Sequence, residues 1–149
     1  MSVEWEPPEG MLPEVIKAWR SFYGTIARYY GVTPVQYRAL YLAQLGRCYG
    51  CQNKRGIHPD DPKGRGSARL AVDHNHALGN RIEAVRGLLC RTGDLSCNRI
   101  LGALQDRPEA FDRLSHHLRT APAQAVFRSL AAGDGDEQIQ GMAYRLLMP

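Results

Sequence analysis

The chain has 149 residues, of which 44% are hydrophobic and 23% charged, and its formal net charge is +4. A chain of this length buries roughly two thirds of its unfolded surface, so it can fold without disulfides as one domain with appended helices. Its longest apolar stretches fall far short of the ~20 residues that span a bilayer, and its acidic start lacks an apolar signal segment; these features exclude an integral membrane protein and favour the cytoplasm.

The first ten residues, with two prolines and Gly10, indicate a flexible leader. The following segment, Pro13 to Tyr30, has apolar residues at helical spacing and predicts an amphipathic helix. The apolar residues of this helix are Val15, Trp19, Phe22, Ile26 and Tyr29. Packing in a core or a dimer is the favoured role for this aromatic stripe, and stacking on nucleic-acid bases is the alternative.

Glycine at position 31 ends the first helix, and a second helix follows at once. Thr33 and Gln36 have the spacing of a capping box, and Pro34 between them occupies the first helical position. The pattern predicts a helix that runs to about Leu45 and stops at Gly46.

The middle of the chain contains only short elements. Asn53 to Ser67 is rich in Gly, Pro and charged residues, which predicts an exposed loop. Leu70–Val72 and Ile82–Val85 are strand candidates, and Asn75–Asn80 joins them with Gly79 as the turn residue.

Helices are predicted for the rest of the chain, with an interruption near Pro108. The first predicted helix carries Ile100, Leu101 and Leu104, and the second carries Phe111, Leu114 and Leu118. Two short helices then close the chain. The apolar face of the last one comprises Ile139, Met142, Ala143, Leu146 and Leu147.

The positive charge is concentrated in one segment. Residues 47–99 hold ten Lys or Arg and five Asp or Glu, a balance of +5, whereas the remainder has a balance of −1. Sixteen of the nineteen basic residues are Arg, which makes bidentate phosphate contacts. A solvated Arg-rich surface would also give this composition, but its concentration beside the cysteines and histidines favours a polyanionic partner.

The four cysteines lie in this basic segment, as the pairs Cys48/Cys51 and Cys90/Cys97. The first pair is a C-x₂-C knuckle in which Gly50 permits a tight turn, and four thiolates make a closed structural Zn²⁺ site. A thioredoxin-like redox pair and two disulfides are the alternatives; the second pair and the absence of an export signal disfavour them. His58, in the loop between the pairs, is expected to be solvent-exposed rather than a substitute ligand.

A polar cluster follows the first strand candidate, at Asp73-His74-Asn75-His76, and Asn98 stands directly after Cys97. Carboxylate and amide oxygens suit Mg²⁺, and histidine can accept a proton at neutral pH. Asp73 and Asn98 are therefore candidate Mg²⁺ ligands, and His74 is a candidate general base for hydrolysis of a phosphodiester. The alternative is an ordinary polar turn. In a regular strand Asp73 and His74 would face opposite sides, so both can serve one site only if the strand ends or bends there.

These motifs together resemble the phage recombination endonuclease VII family, within the HNH or His-Me finger nucleases. The resemblance covers about Tyr30 to Arg119. The matching stretches are residues 30–33 with Tyr37 and Leu40, 44–51, 72–76, 85–90, 97–102 and 106–118.

The resemblance implies an α+β protein: a zinc-stabilised ββα-metal core flanked by N- and C-terminal α-helices. It divides the chain into a leader and helix (1–30), an endonuclease domain (31–119) and a C-terminal helical extension (120–149). By position, Asp73 and Asn98 would hold Mg²⁺ or Mn²⁺, His74 would be the base and His76 would support the site or the phosphate. The four cysteines would bind zinc.

Two departures from the family pattern are visible. Four extra residues stand between Cys90 and Cys97, where the family usually has C-x₂-C, and Leu101 and Gly102 occupy positions where some members carry a carboxylate.

The predicted function is metal-dependent DNA cleavage that leaves a 5′-phosphate and a 3′-hydroxyl, with no organic cofactor. Arg86, Arg91 and Arg99 are candidate phosphate contacts. The enzyme would act as a branched-DNA resolvase, which requires a homodimer, or as an HNH nicking enzyme, in the cytoplasm of the host of a phage or mobile element. A non-catalytic zinc module that binds nucleic acid and a zinc-stabilised protein-interaction domain are the alternatives.

Overall fold

A computed structural model describes residues 4–93, 95–120 and 123–142. Six α-helices, α1 to α6, and a two-stranded antiparallel sheet of β1 and β2 form its described part, which confirms the predicted α+β class. The order β1, β2, α3 is that of a ββα unit. None of the described helices is long and apolar enough to cross a membrane.

The chain divides into two compact units, Met1–Ala103 and Leu104–Pro149. The first unit joins α1 to the cysteine-containing segment, because the buried face of α1 belongs to the same apolar core as both strands. The division into 1–30, 31–119 and 120–149 remains an interpretation of the sequence.

Helix α1 spans Pro13–Tyr30, as predicted, and ends at Gly31 in the left-handed conformation with φ 68°. Its buried face differs in part from the predicted one: Tyr23 is buried, whereas Tyr29 is 49% exposed. The two tyrosines are six residues apart and therefore lie on different faces of the helix. Helical periodicity places Trp19 and Ile26 between the two tyrosines, so it allows the buried face to include either one. Packing in the folded chain buries Tyr23.

An aromatic cluster forms the centre of the first unit. Trp19 and Tyr37 are fully buried. The Trp19 ring stacks on Tyr23 with centroids 5.1 Å apart, and Phe22 meets Tyr37 edge-on at 5.0 Å. The aromatic stripe of α1 therefore packs in the core of its own chain, so its buried rings do not stack on bases.

Helix α2 spans Pro34–Ala43 and begins with the predicted capping box, in which Thr33 and Gln36 exchange hydrogen bonds. The helix ends two residues before the predicted Leu45, which has a φ of 53°. Gly46 follows with φ 68°, and a Cβ there would lie 2.5 Å from the Tyr41 hydroxyl oxygen. Glycine is required at this turn both by its conformation and by this close approach.

Strand β1 spans Ala71–His74 and pairs with β2, Val85–Leu89. The predicted second strand, Ile82–Val85, is wrong for its first three residues, because Ile82–Ala84 forms a 3₁₀ turn. Leu88 and Leu89 are buried in the core, and the backbone of these residues pairs with β1. The position of the strand therefore depends on the core and on its partner strand. Local strand propensity, low at Arg86-Gly87, does not show this.

The loop of residues 53–67 contains no regular helix or strand, as predicted, but it is not wholly exposed. Ile57 and Pro59 are buried. His58 is partly buried rather than solvent-exposed: its ring meets Tyr41 edge-on at 5.0 Å, and its Nδ1 accepts a hydrogen bond from the Asp60 amide. The histidine therefore holds the loop together locally.

A buried hydroxyl joins α2 to the start of β1, since Tyr37 donates a 3.0 Å hydrogen bond to the Leu70 carbonyl. We expect Tyr37→Phe to lower the free energy of unfolding by about 1–2 kcal/mol, because it leaves a buried carbonyl without its donor. Chemical denaturation measures the change. Tyr29→Phe, at an exposed position, is the matched control and should have almost no effect; an equal loss in both variants would refute this role for Tyr37.

The second unit contains helices α4 (Pro108–Thr120), α5 (Ala123–Ala131) and α6 (Asp136–Gly141), which confirms the helices predicted after Pro108. They follow α3 (Cys97–Ala103) of the first unit. Of the face predicted for the last helix, Ile139 lies in α6 and Met142 caps it, whereas Ala143, Leu146 and Leu147 lie outside the described residues.

Candidate metal-binding and catalytic site

The four cysteines come together in the first unit. Their Sγ atoms all lie within 4.8 Å of one another, and none forms a disulfide. Four sulfurs around one zinc ion, at ~2.3 Å each, are ~3.8 Å apart, so the spacing suits tetrahedral Zn²⁺. Among the described residues this is the one group of three or more His, Cys, Asp or Glu side chains able to hold a metal ion. The arrangement argues against an isolated redox pair.

The long spacing between Cys90 and Cys97 does not separate these two residues. The Cys97 amide donates a hydrogen bond to Cys90 Sγ at 3.2 Å, and the Asn98 amide donates to the Cys90 carbonyl at 3.3 Å. A further bond, from the Ser96 amide to the Gly93 carbonyl, closes the connection. The longer connection is therefore a local loop whose two ends, Cys90 and Cys97, lie next to each other.

The thiols differ in their acidity. Backbone N–H groups of Lys54 and Asn53 lower the pKa of the Cys51 thiol to about 6, while burial raises that of Cys97 to about 12 and also raises that of Cys90. Cys51 is thus ready to bind a cation as a thiolate at neutral pH. The Cys90 and Cys97 thiols lose their protons at neutral pH only when a bound cation stabilises the thiolates.

Glycine is needed at position 50 because Cys97 lies close to its Cα. The residue of this knuckle with a positive φ is Gln52, at 59°. A Cβ on Gly50 would lie 2.9 Å from Cys97 Sγ. We expect Gly50→Ala to cost about 1–3 kcal/mol of unfolding free energy, measured with zinc in the buffer, because the added carbon overpacks a fixed sulfur. Gly102→Ala, with nothing within 4 Å of the new carbon, is the control and should be neutral or stabilising; equal stability of the two variants would contradict this reading.

A glutamine joins the first knuckle to the sheet. The Gln44 side-chain nitrogen donates to the carbonyls of Arg47 and Leu88, each at 2.9 Å, and its oxygen accepts from the Leu88 amide at 2.9 Å. The Tyr49 amide also donates to the Leu88 carbonyl, at 3.1 Å. Sequence reasoning gave Gln44 no role, since its partner stands 44 residues away.

Asp73 is buried in β1, at 8% exposure, and forms a bidentate ion pair with Arg86. Arg86 Nε and Nη2 donate to the two carboxylate oxygens at 2.7 and 2.9 Å. The sequence suggested separate roles for these residues, a metal ligand and a phosphate contact, and the structure joins them. Each carboxylate oxygen has a second lone pair, and Mg²⁺ requires only one or two protein carboxylates. Asp73 therefore keeps lone pairs on its carboxylate oxygens beside its ion pair with Arg86.

The pairing of β1 and β2 is irregular at the step between Asp73 and His74. Asp73 stands opposite Gly87 and His74 opposite Val85, so the register skips Arg86. Such a bulge bends the strand and re-aims side chains. The extra residue, Arg86, stands in β2, so the bend lies in the strand opposite Asp73 and His74, and β1 itself ends at His74.

Three rings meet at the end of β1. The imidazoles of His74 and His76 have centroids 4.5 Å apart, and the Tyr30 ring lies 4.8 Å from His74. His74 is half-buried and His76 is exposed. Tyr30, the last residue of α1, therefore limits the orientation of the histidine assigned as the base.

Asn98 is the second residue of α3 and is held through its backbone at Cys90, so the cysteine cluster fixes its position. Leu101, one turn later, packs against the core. The position where some family members carry a carboxylate thus serves packing here.

The three arginines predicted to contact phosphates lie in different parts of the first unit. Arg86 pairs with Asp73, and Arg99 is exposed near the start of α3. Arg91 lines a pocket beside Cys90 and Leu70. Leu70 precedes β1, whereas Asp73 and His74 form its far end.

Comparison with known proteins agrees with these motifs. The recombination endonuclease VII family profile matches residues 24–120, which confirms the resemblance seen in the sequence. The chain is 38% identical over 110 residues to the Gene 59 protein of Mycobacterium phage D29, covering 72% of this chain and 56% of that protein. It is 36% identical to the Gene 59 protein of Mycobacterium phage L5, covering 72% and 57%. The chain thus spans about half the length of these relatives. No solved structure matches it significantly.

Proposed function

The chain belongs to the recombination endonuclease VII family, and on that premise we propose that it is a metal-dependent endonuclease that hydrolyses phosphodiester bonds of DNA. One observation supports the proposal: within the family-matched segment, Asp73 and His74 are the last two residues of β1, opposite the irregularity of β2, and Asn98 directly follows a clustered cysteine. A buried carboxylate and an imidazole on one short strand are the groups that such chemistry needs.

In this proposal the four cysteines bind Zn²⁺, whose role is mechanical. The cluster joins the knuckle before β1 to the residues after β2, and Asn98 follows its last member. A closed tetrathiolate site leaves no position for water or substrate, so the zinc ion itself does not react. It positions the helix α3 relative to the sheet without a large core.

Asp73 and Asn98 would hold Mg²⁺, or Mn²⁺ in its place. The cation would supply charge neutralisation at the scissile phosphate and the departing oxygen. Asp73 is suited to this role by its burial and its fixed orientation, both of which depend on Arg86. Arg86, which pairs with Asp73, would lie beside both the cation and the phosphate.

His74 acts as the general base. Its imidazole removes a proton from water, the water oxygen bonds to phosphorus, and the bond from phosphorus to the 3′ oxygen breaks in line with the attack. The departing oxygen takes a proton from solvent water to give a 3′-hydroxyl, the proton held by His74 returns to solvent, and the phosphate stays on the 5′ side. Tyr30 orients the His74 ring, and His76, at 4.5 Å from it, supports the site or contacts the phosphate.

Arg86, Arg91 and Arg99 are proposed phosphate contacts. Their placement at Asp73, beside Cys90 and at the start of α3 would spread the backbone of the DNA over the first unit. Guanidinium groups suit this contact because they donate paired hydrogen bonds to phosphate oxygens.

A non-catalytic zinc module that binds nucleic acid is the second candidate. The observation in its favour is the Asp73–Arg86 pair, which engages both carboxylate oxygens. This module would bind DNA without cutting it in any divalent metal. A zinc-stabilised protein-interaction domain would show no salt-dependent affinity for DNA.

The substrate is proposed to be DNA inside the host cell, either branched or duplex. Resolution of a branch needs two active sites and hence a dimer, whereas a monomer would nick one strand. The buried face of α1 is used within its own chain, so a dimer would require another surface, such as the C-terminal helices.

A plasmid-nicking assay tests the proposal. We expect supercoiled plasmid to be cut with added Mg²⁺ or Mn²⁺ and to stay intact without a divalent metal. Binding without cleavage in every metal would favour the non-catalytic module. The solution mass, together with the relative rates on a four-way junction and a linear duplex, separates a resolvase from a nicking enzyme.

A further inference from the structure

A small basic pocket lies away from Asp73 and His74. It has a volume of about 190 Å³ and is lined by four cationic side chains and by Cys90 of the cysteine cluster. The cations are Lys54, Arg55, Arg69 and Arg91. None of the described residues that line it is acidic. Pockets for drug-sized ligands have volumes of about 300–1,000 Å³, so this smaller pocket suits a group of phosphate size.

Three separate segments bring these cations together. Lys54 and Arg55 follow the first cysteine knuckle, Arg69 precedes β1, and Arg91 follows β2. The Lys54 ammonium is fixed by a 2.8 Å hydrogen bond to the Thr92 carbonyl. The pocket is therefore built by the fold rather than by one run of basic residues.

Aromatic rings hold the deepest cation in place. The Arg69 guanidinium carbon lies 4.4 Å from the Trp19 ring centroid and 5.7 Å from that of Phe22. Cation–π contacts of this kind fix a guanidinium without neutralising it. Arg69 is consequently a preorganised charge at the pocket wall.

The charges in the pocket are not balanced by the described part of the chain. Within residues 4–93, 95–120 and 123–142, none of the four cations forms an ion pair with a carboxylate. Burial and the nearby Arg91 both lower the pKa of the Arg69 guanidinium. Four cations without a counter-charge among the described residues repel one another, and a bound anion would remove this cost.

We propose that the pocket binds a backbone phosphate of the DNA substrate, at a distance from the bond that is cut. The proposal rests on the proposed function for the identity of that substrate. Leu70 lines the pocket immediately before β1, and His74 ends that strand four residues later, which corresponds to about 14 Å at ~3.4 Å per residue. Charges on one DNA strand recur every ~3.4 Å along the axis, so the pocket receives a different phosphate from the scissile one.

The pocket would therefore set the register of the DNA on the protein. A phosphate held there fixes where the strand enters the site at Asp73 and His74, since contacts to phosphates position a nucleic acid without reading its sequence. Free inorganic phosphate has the same chemistry, and the experiment separates these two sources.

The test neutralises two cations that form neither a side-chain hydrogen bond nor an aromatic contact in the described residues, in the double variant Arg55→Gln/Arg91→Gln. Binding to a fluorescent duplex is measured without added divalent metal in a His74→Ala background, so cleavage does not enter. Lys17→Gln/Arg20→Gln removes the same charge from exposed positions on α1 and is the matched control. Zinc content and melting temperature verify folding.

We expect the pocket variant to bind the duplex about tenfold more weakly, and the slope of log Kd against log salt to fall by about 1, as for the loss of one phosphate contact. The control should keep the slope of the parent. Arg55→Lys/Arg91→Lys should recover much of the affinity, which would not follow if the arginines served the fold alone.

An unchanged slope in the pocket variant, or an equal fall in the control, would overturn the proposal. Calorimetric titration with inorganic phosphate decides the source: binding of that ion to the parent but not to the pocket variant, with no change in the DNA slope, would also overturn it. A wild-type protein that fails to nick plasmid refutes the proposed function, yet the binding comparison still decides whether the pocket holds a DNA phosphate.

Discussion

Replacing His74 with alanine is expected to slow metal-dependent plasmid nicking by about 10²–10⁴-fold, the usual contribution of a general base. No other described imidazole has the same placement, half-buried at the strand bulge and packed against Tyr30 at 4.8 Å. The measurement is the initial rate of nicking at saturating Mg²⁺. Melting temperature and zinc content should stay near those of the wild type, because His74 belongs to neither the core nor the cysteine cluster.

His76→Ala is the matched control for this prediction, since the two rings lie 4.5 Å apart and His76 is the more exposed. The nicking rate of His76→Ala should fall less than that of His74→Ala, because removal of a supporting residue leaves the general base in place. A His74→Ala enzyme as fast as the wild type would show that the base is assigned wrongly. An equal loss for both variants would show that the two histidines share or exchange the role.

Replacing Cys48 with serine is expected to release zinc and to unfold the first unit. Structural zinc contributes about 10–16 kcal/mol of apparent binding free energy in zinc-finger peptides, while a whole domain is stable by only about 5–15 kcal/mol. Cys48 is fully buried among the other thiols. Metal content per chain and the thermal transition, with and without a chelator, measure the effect.

Tyr49→Ser provides the control for that variant, because the neighbouring side chain is 71% exposed. This variant should keep its zinc and its melting temperature. If Cys48→Ser also kept the wild-type transition, the apolar core alone would hold the fold, and the mechanical role given to the zinc site would be wrong.

The parts of the fold that the sequence predicted are those with local causes. The capping box at Thr33, the end of α1 at Gly31 and the start of α4 at Pro108 each depend on residues within one helical turn. The cysteine cluster was also predictable, since the two pairs carry their chemistry in their residue type. The six residues between Cys90 and Cys97 do not separate these cysteines, because backbone hydrogen bonds close the loop between them.

The parts that the sequence did not predict depend on contacts between distant residues. The start of β2 depends on which residues pair with β1, and the choice of Tyr23 over Tyr29 depends on packing against α2 and the strands. The Gln44 link to Leu88 has no local signature. Four cations from three segments form the basic pocket only after folding.

The Asp73–Arg86 pair shows why a residue's chemistry alone does not fix its role. Each residue was assigned from its side-chain type, and neither assignment used the partner 13 residues away. Arg86 stands at the irregularity between β1 and β2, which is invisible in the sequence, and its side chain meets Asp73 there. Asp73 remains a proposed metal ligand, with Arg86 as the cation paired with it.

The most direct test of the central claim is a crystal structure of the zinc-loaded protein with Mn²⁺, located by its anomalous signal. The account predicts one manganese ion bound by the Asp73 carboxylate and the Asn98 side-chain oxygen within coordination distance, with His74 nearby and Arg86 withdrawn from at least one Asp73 oxygen. An ion bound elsewhere, or Asp73 and Asn98 too far apart to share it, would contradict the proposed nuclease site.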